Sequence, residues 1–324
     1  MILVTGATGH IGNTLVRKLL QAGEKVRALV LPGESRASLQ GLSVDFVEGN
    51  VLDLASCCEA MAGVDIVYHL AGIISIAYGE KQLMWEVNVE GARTVARAAF
   101  KTGVRRLIHV GSVHAFTHKP GDVMDERAAL ALTAPKSNYD RTKAEGVAAV
   151  LDVASAGLDV VVACPSGVIG PYDYLGSEMG QLIRTFARPG CQLLVDGGFD
   201  FVDVRDVAQG LVQTATKGRQ GEIYILSGTY VSLTKLYRLV QAAANIQSPS
   251  IVLPTGLALA VGKIMPYYYH LTRSIPQITT YSVLTVSKKC RYKHEKARQE
   301  LGYRSRPLTE TIADTLSWWR TMAK

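Results

Sequence analysis

The sequence predicts a doubly wound α/β fold built on a parallel sheet, and three observations predict it. Short apolar runs alternate with amphipathic helical patterns through the first half of the chain. A glycine triplet, Gly6, Gly9 and Gly12, falls between the first apolar run and the first helical one. The 324 residues are long for one core and comfortable for two. The expected division is a first domain over residues 1–165 and a smaller α+β domain over 166–324, with 201–228 returning to the first sheet.

Ile2 to Val4 reads as a short buried strand. Ile11, Leu15, Leu19 and Leu20 share one helical face, and Gly23 closes that helix because glycine tolerates the left-handed backbone of a helix end. Lys25 to Val30 and Val44 to Val47 are the second and third strands. Asp53 caps a helix through Met61, closed by Gly63. Asp65 to Leu70 and Arg106 to Val110 are further strands, with a long helix through Asn88 and Ala99 between them. Tyr139 to Ala154 is helical, and Asp159 to Ala163 is the next strand. Beyond Pro165, glycine and proline cluster at Gly167, Gly170, Pro171 and Gly176. A helix from Ser177 to Ala187, strands at Phe201 to Val204 and Glu222 to Leu226, and a helix from Leu308 through Trp319 complete the pattern. Asp206 is expected to cap the helix through Val207, Leu211 and Thr214.

Hydrophobic residues make up 48% and charged residues 19%, the balance of a folded chain. The net charge of +7 favours anionic ligands, but the Lys and Arg are scattered, which argues against nucleic acid. The five cysteines show no C-x-x-C spacing, and adjacent Cys57-Cys58 makes a poor disulfide pair. Buried thiols in a reducing compartment are therefore expected, and no metal site. The first strand starts at once and leaves no room for a signal peptide. The stretch from Gly256 to Met265 contains Lys263 and is too short to span a bilayer, so a cytoplasmic protein is expected.

Each glycine of Thr5-Gly6-Ala7-Thr8-Gly9-His10-Ile11-Gly12 has a physical use. Gly6 permits a tight turn, Gly9 lets backbone amides approach a pyrophosphate, and Gly12 lets the helix pack closely on the strand. The free N–H groups and the dipole of the helix N-terminus then favour the anion. This reading makes the first domain Rossmann-type, with Thr8, His10 and Ile11 completing the cofactor loop.

Tyr139 and Lys143 stand four residues apart, one above the other on a helix face. A phenol titrates near about 10 and is a poor base at neutral pH; a nearby ammonium is expected to lower that value. The hydroxyl can then exchange a proton with a carbinol while hydride moves to or from a nicotinamide. Ser112 ends the fifth strand, where ligands of open α/β sheets bind, and can donate to a substrate oxygen. In isolation Tyr-x-x-x-Lys is a common solvated helix face and Ser112 an ordinary strand end. Their position behind a glycine loop distinguishes them.

The G-x-x-G-x-x-G spacing resembles the extended short-chain dehydrogenase/reductase family, which includes NAD-dependent epimerases and dehydratases. So do Gly49-Asn50-Val51-Leu52-Asp53, His69-Leu70-Ala71-Gly72, Asn88-Val89-Glu90-Gly91 and Pro165-Ser166-Gly167-Val168-Ile169-Gly170-Pro171. Phe201-Val202-Asp203-Val204-Arg205-Asp206-Val207-Ala208, Lys296-Ala297 and Leu301-Gly302-Tyr303 extend the likeness over nearly the whole chain. The resemblance implies Ser112, Tyr139 and Lys143 as the catalytic group, with Asn88 ordering the lysine and a relay water. It also implies Asn50 and Val51 beside the adenine, Asn50 replacing the family's Asp, and Leu70, Ala71, Gly72 and Pro165 on the nicotinamide side. Gly111 stands where the family carries a first Ser or Thr.

Dehydratases of the family place Asp-Glu after the catalytic Ser or Thr, where this chain has Val113-His114. Its epimerases carry Asn beside the proline, where this chain has Cys164-Pro165-Ser166. What remains looks most like the dihydroflavonol 4-reductase and 3β-hydroxysteroid dehydrogenase branch. That implies an NAD(P)-dependent oxidoreductase interconverting a carbonyl and a secondary alcohol on a small apolar or polycyclic substrate. A nucleotide-sugar 4-epimerase with tightly bound NAD, and a non-catalytic nucleotide-binding regulator, stay open as alternatives. His114, Ser166, Tyr172 and Asp173 are candidate substrate contacts. The stretch from Leu253 to Tyr269, ending in Tyr267-Tyr268-Tyr269, is either a lid or ordinary packing. No acid ends the second strand at Val30-Leu31, and Arg36 is placed to reach a 2′-phosphate, so NADP is favoured over NAD. Weak membrane-surface contact and a homodimer are the remaining partner expectations.

Overall fold

The computed structural model describes residues 1–74, 81–117, 119–133, 137–272 and 280–322, with the side chains of 264–272 left aside. The chain runs β1 (Ile2–Thr5), α1 (His10–Gln21), β2 (Val26–Val30), β3 (Asp45–Glu48), α2 (Leu54–Ala60), β4 (Ile66–His69), α3 (Lys81–Trp85), α4 (Ala92–Lys101) and β5 (Arg106–Val110). It continues through β6 (Val123–Met124), α5 (Asn138–Ser155), β7 (Val160–Pro165), β8 (Gly167–Ile169), α6 (Glu178–Phe186), β9 (Gln192–Val195), β10 (Gly198–Asp203), α7 (Val204–Lys217) and β11 (Ile223–Leu226). Then follow β12 (Thr229–Ser232), α8 (Leu233–Ala244), β13 (Ser250–Leu253), α9 (Thr255–Thr272), α10 (Thr280–Ser287), β14 (Arg291–Tyr292) and α11 (Leu308–Met322).

Seven parallel strands form the main sheet in the order β11-β7-β5-β4-β1-β2-β3. The order reverses between β1 and β4, which opens a crevice at their C-terminal ends. Alternating strand residues feed opposite layers, as the period of two requires. Leu3, Val67 and Leu107 pack with Val95, Ala99, Val147 and Val150 of α4 and α5. Val4, Ile108 and Val161 pack with Leu15, Leu19, Val207 and Leu211 of α1 and α7. Each such fully buried aliphatic side chain stabilises the fold by about 1.5–3 kcal/mol.

The remaining strands make a three-stranded sheet, β12-β10-β8, and the pairs β13-β9 and β14-β6. Only part of 201–228 therefore joins the main sheet: β11 lies beside β7, whereas β10 pairs with β8 and β12. The helix after β10 is capped one turn earlier than the sequence pattern suggested. Asp203 accepts the Arg205 N–H at 2.7 Å, while Asp206 lies inside the helix and holds Arg306. The long helix through Asn88 is also not uniform, because Glu86–Gly91 is wound as a π segment between α3 and α4. Among the described residues no helix is long and apolar enough to cross a membrane. Among the described residues no disulfide forms; Cys57, Cys164 and Cys290 are buried as expected, but Cys191 is exposed.

Candidate active site

The glycine loop links β1 to α1 at the crevice. Gly6 has φ +66°, and a Cβ there would meet the Ala71 nitrogen at 2.7 Å. A Cβ on Gly12 would fall 2.0 Å from the Gly6 carbonyl oxygen. At Gly9, by contrast, the same carbonyl oxygen is at 3.4 Å, so nothing inside the protein demands glycine there. Gly9 caps α1 without a side-chain acceptor, and the first turn of α1 holds no acid. That leaves the loop's amides and helix dipole for an anion, and the cradle fits a dinucleotide pyrophosphate.

Around this loop, Thr5 Oγ1 bonds His69 Nδ1 at 2.8 Å and accepts the Ala71 N–H at 3.2 Å, which fixes the Leu70–Gly72 turn. His10 and Asn13 bind the carbonyls of Pro171 and Tyr172 at 2.9 and 3.0 Å, tying the loop to the segment after β8. The backbone at Tyr172 has φ +70°, a strained conformation for a bulky residue, held by these contacts.

Ser112 follows β5; its Oγ accepts the His114 N–H at 3.2 Å and neighbours the Tyr139 phenol from the first turn of α5. Ser137 caps that helix by accepting the Asp140 N–H at 2.9 Å, which sets where Tyr139 emerges. Lys143 lies one turn along, its Nζ 6.0 Å from the Tyr139 ring centre. Gly111 departs from the family pattern for a packing reason: a Cβ there would meet Cys164 Sγ at 2.9 Å and Val147 Cγ2 at 3.0 Å. Gly146 lets α5 approach the π segment, since its Cβ would sit 2.4 Å from the Asn88 carbonyl oxygen.

The electrostatics differ from the sequence expectation. Burial pushes the Tyr139 phenol above its ordinary value, against the lowering influence of the Ser112 hydroxyl, and Glu178 and Asp140 add to the rise. Burial also lowers Lys143, to about 8, so its charge is weakly held. In the protein alone the ammonium therefore does not bring the phenol down.

Other expected residues are engaged elsewhere. Asn88 accepts the Ile73 N–H at 2.8 Å and donates to the Ile73 carbonyl and Thr142 Oγ1 at 3.0 and 3.1 Å. Its amide thus orders the loop after β4, and no hydrogen bond from it to Lys143 is present. Ser166 donates to Asp200 at 2.6 Å, and Asp173 accepts from the backbone and hydroxyl of Ser177 at the start of α6. The Tyr172 ring packs on Arg17 and Trp318. These partners hold all three side chains in place. Pro165 ends β7 in register with Leu226. Asn50 is exposed and caps its own turn at Leu52, while Val51 is buried beneath it. The side chains of Tyr267, Tyr268 and Tyr269 lie outside the described residues.

Arg36 pairs with Glu48 at 2.7 Å and lies over the Phe46 ring, so its guanidinium is already engaged. An acid from further along the chain reaches the end of β2. Glu34 accepts the Leu31 N–H at 2.8 Å and the Thr8 hydroxyl, which sets its carboxylate between β2 and the glycine loop. Leu31-Pro32-Gly33-Glu34 is a tight turn, with Gly33 at φ +76° and the Glu34 N–H bonded to the Leu31 carbonyl at 3.0 Å. Pro-Gly at its centre is the sequence signal that reveals it.

The model of the NAD dependent epimerase/dehydratase family matches residues 2–227, from β1 through β11. The chain belongs to that family. Within it, the chain is 33% identical over 322 residues to sterol demethylase protein B of Methylococcus capsulatus, covering 98% of each. It is 28% identical to the 4-hydroxy-2-methyl-3-oxo-4-farnesyl-3,4-dihydroquinoline-1-oxide ketoreductase of Stigmatella aurantiaca, covering 97% of this chain and 94% of that one. The crystal structure of gox2253 superposes with a TM-score of 0.86 at 29% identity, over 99% of this chain and 98% of the other. As a family member the chain is an NAD(P)-dependent enzyme of the extended short-chain type.

Proposed function

We propose that this enzyme interconverts a carbonyl and a secondary alcohol on an apolar polycyclic substrate, with Tyr139 as the acid–base residue. The observation that carries the reading is the phenol of Tyr139, neighbour to the Ser112 hydroxyl at the end of β5 and one helical turn from Lys143. A bound nicotinamide would supply or accept the hydride. The chain's own groups do the rest. Ser112 and Tyr139 donate to the substrate oxygen, and Tyr139 moves the proton as the oxygen gains or loses charge. Lys143 keeps a proton source one turn away. The substrate class draws support from the names of the two relatives, one a sterol enzyme and one a ketoreductase acting on a farnesylated ring system.

For the cofactor we propose NAD rather than NADP. The Glu34 carboxylate can accept a ribose diol, and it would repel a 2′-phosphate. Val113, directly after Ser112 where the family's dehydratases carry Asp, argues against dehydration, because a valine cannot protonate a departing hydroxyl. The test is nicotinamide absorbance with NADH or NADPH against 3-oxosteroids, flavonoids, prenylated ring ketones and nucleotide sugars. Turnover of a polycyclic ketone is expected. Epimerisation of a nucleotide sugar, with no turnover of any ketone, would overturn the reading.

A further inference from the structure

Beside Tyr139 stands a second group suited to proton transfer. His114, two residues beyond Ser112, lies edge-on to the Tyr139 ring at 5.5 Å and stacks on Phe199 of β10 at 5.8 Å. Its Nδ1 is 3.1 Å from Asp140 Oδ1, and Asp140 also accepts the Tyr281 hydroxyl of α10 at 3.0 Å. Asp140 is almost fully buried. Burial alone would raise its carboxyl, but the hydrogen bond from His114, then the Lys288 charge and the Tyr281 hydrogen bond, hold it below its ordinary value. A carboxylate can only accept, so Nδ1 carries the hydrogen and Nε2 carries the lone pair. The Tyr281 oxygen, 3.2 Å from Nδ1, is compatible with the same tautomer. No partner for Nε2 is found among the described residues, and the ring keeps 14% exposure, enough for exchange with water. The arrangement is a buried acid orienting an imidazole whose far nitrogen is free, next to the two hydroxyls that hold the carbonyl oxygen.

We propose that His114 is a second acid–base residue, acting on the carbon next to the carbonyl held by Ser112 and Tyr139, so that the enzyme exchanges the α-hydrogens of its ketone. The proposal rests on the carbonyl–carbinol reading above. In the step, Nε2 takes a proton from the α-carbon. The C–H pair becomes the C–C π bond, and the carbonyl π pair moves to oxygen, where the hydrogen bonds from Ser112 and Tyr139 stabilise it. The reverse step returns a proton from Nε2 to carbon, and exchange at Nε2 with water replaces one hydrogen isotope by another. Nothing is oxidised or reduced. Asp140 is a positioning residue that fixes the tautomer.

The test uses the holoenzyme with NAD⁺, in which no hydride can be delivered, and the panel ketone that the wild type reduces fastest, 5α-androstan-3-one being the steroid probe. In D₂O the wild type should add deuterium to the α-carbon well above the buffer rate, read by mass spectrometry. His114→Asn keeps a donor for Asp140 but lacks Nε2, and should lower the ratio of exchange to ketone reduction by about 100-fold. Asp140→Asn should shift the histidine ¹⁵N spectrum away from the Nδ1–H form and lower the same ratio. A wild type that reduces the ketone yet exchanges only at the buffer rate overturns the inference. So does a His114→Asn variant with an unchanged ratio. A wild type that reduces no ketone overturns instead the reading on which it rests.

Discussion

Lys143 Nζ stands 6.0 Å from the centre of the Tyr139 ring, yet burial rather than their mutual charge governs both groups. The phenol is raised and therefore holds its proton at neutral pH, which suits donation to a developing alkoxide. Tyr139→Phe keeps the ring that packs against His114 and removes only that proton. We expect turnover to fall by about 1,000-fold while NADH binding, followed by its fluorescence, changes little. Wild-type turnover in this variant would remove Tyr139 from the chemistry.

The lowered Lys143 carries a consequence for stability. Below pH 8 the lysine is charged in the folded and unfolded chains alike, and the fold bears a poorly solvated ammonium. Between about 8 and 10.5 the unfolded chain keeps a proton that the folded chain has lost, so stability from this group rises with pH. Above 10.5 both are neutral and the penalty is gone. Lys143→Met should therefore be more stable than wild type at pH 7, by about 3 kcal/mol, with the gap closing toward pH 10.5. Urea unfolding of both proteins across that range measures it, and activity should fall in the same variant.

Cofactor choice should follow Glu34. Its carboxylate is held by the Leu31 amide and the Thr8 hydroxyl, while Arg36 is turned to Glu48 and Phe46. Wild type should bind NADH more tightly than NADPH. Glu34→Gln removes a charged acceptor, and a hydrogen bond to a charged group contributes about 1.5–3 kcal/mol, so the preference should shrink by about tenfold or more. Calorimetric titration with each cofactor reads this without turnover. A Glu34→Gln variant with wild-type selectivity would assign the choice elsewhere.

Much of this architecture was legible from local chemistry. Gly12 is forced by the Gly6 carbonyl six residues earlier, and Tyr139 and Lys143 share one helix, so spacing alone reveals them. What the sequence hid depends on long-range assembly. Glu34 returns to the end of β2 through the Pro32-Gly33 turn, and His114, Asp140 and Tyr281 meet from three separated segments. Asp206 reads as a cap because it precedes an apolar helical run, whereas Asp203 ends the strand one step before α7 begins and caps it. The Ser166 partner Asp200 likewise comes from a strand 34 residues on, which spacing does not reveal.

Two imidazoles under the site should make the fold sensitive to acid. His69 and His109 are directly paired across β4 and β5 and are buried. Burial lowers His69 to about 3, with the Lys143 charge adding to the effect, and holds His109 well below its ordinary value. Both stay neutral in the fold while the unfolded chain takes up protons below about 6.5, so their stability is present above that pH and is lost as it falls. For His69 alone the loss reaches about 2 kcal/mol by pH 5. His69→Gln should flatten the dependence of Tm on pH between 7 and 5 relative to wild type. An acid limb of unchanged steepness would place its origin in other groups.

Arg306 joins the C-terminal segment to the start of α7. Its backbone N–H and its guanidinium both bond Asp206, each at 2.7 Å, and the guanidinium reaches Asp203 at 3.5 Å. Both carboxylates are buried, and Asp203 is otherwise paired with Arg205. Removing the guanidinium leaves Asp206 without a counter-charge, and an uncompensated buried charge costs about 3–5 kcal/mol. Arg306→Ala should therefore lose about 3 kcal/mol of stability in urea unfolding, since the backbone N–H still serves one carboxylate oxygen. The double variant Arg306→Met with Asp206→Leu removes both charges and fills the space with apolar atoms. It should be markedly more stable than Arg306→Ala, because the stranded carboxylate and not the lost pair is the source of the damage. Equal destabilisation in the two variants would show that the pair itself, rather than the desolvated Asp206, holds this junction.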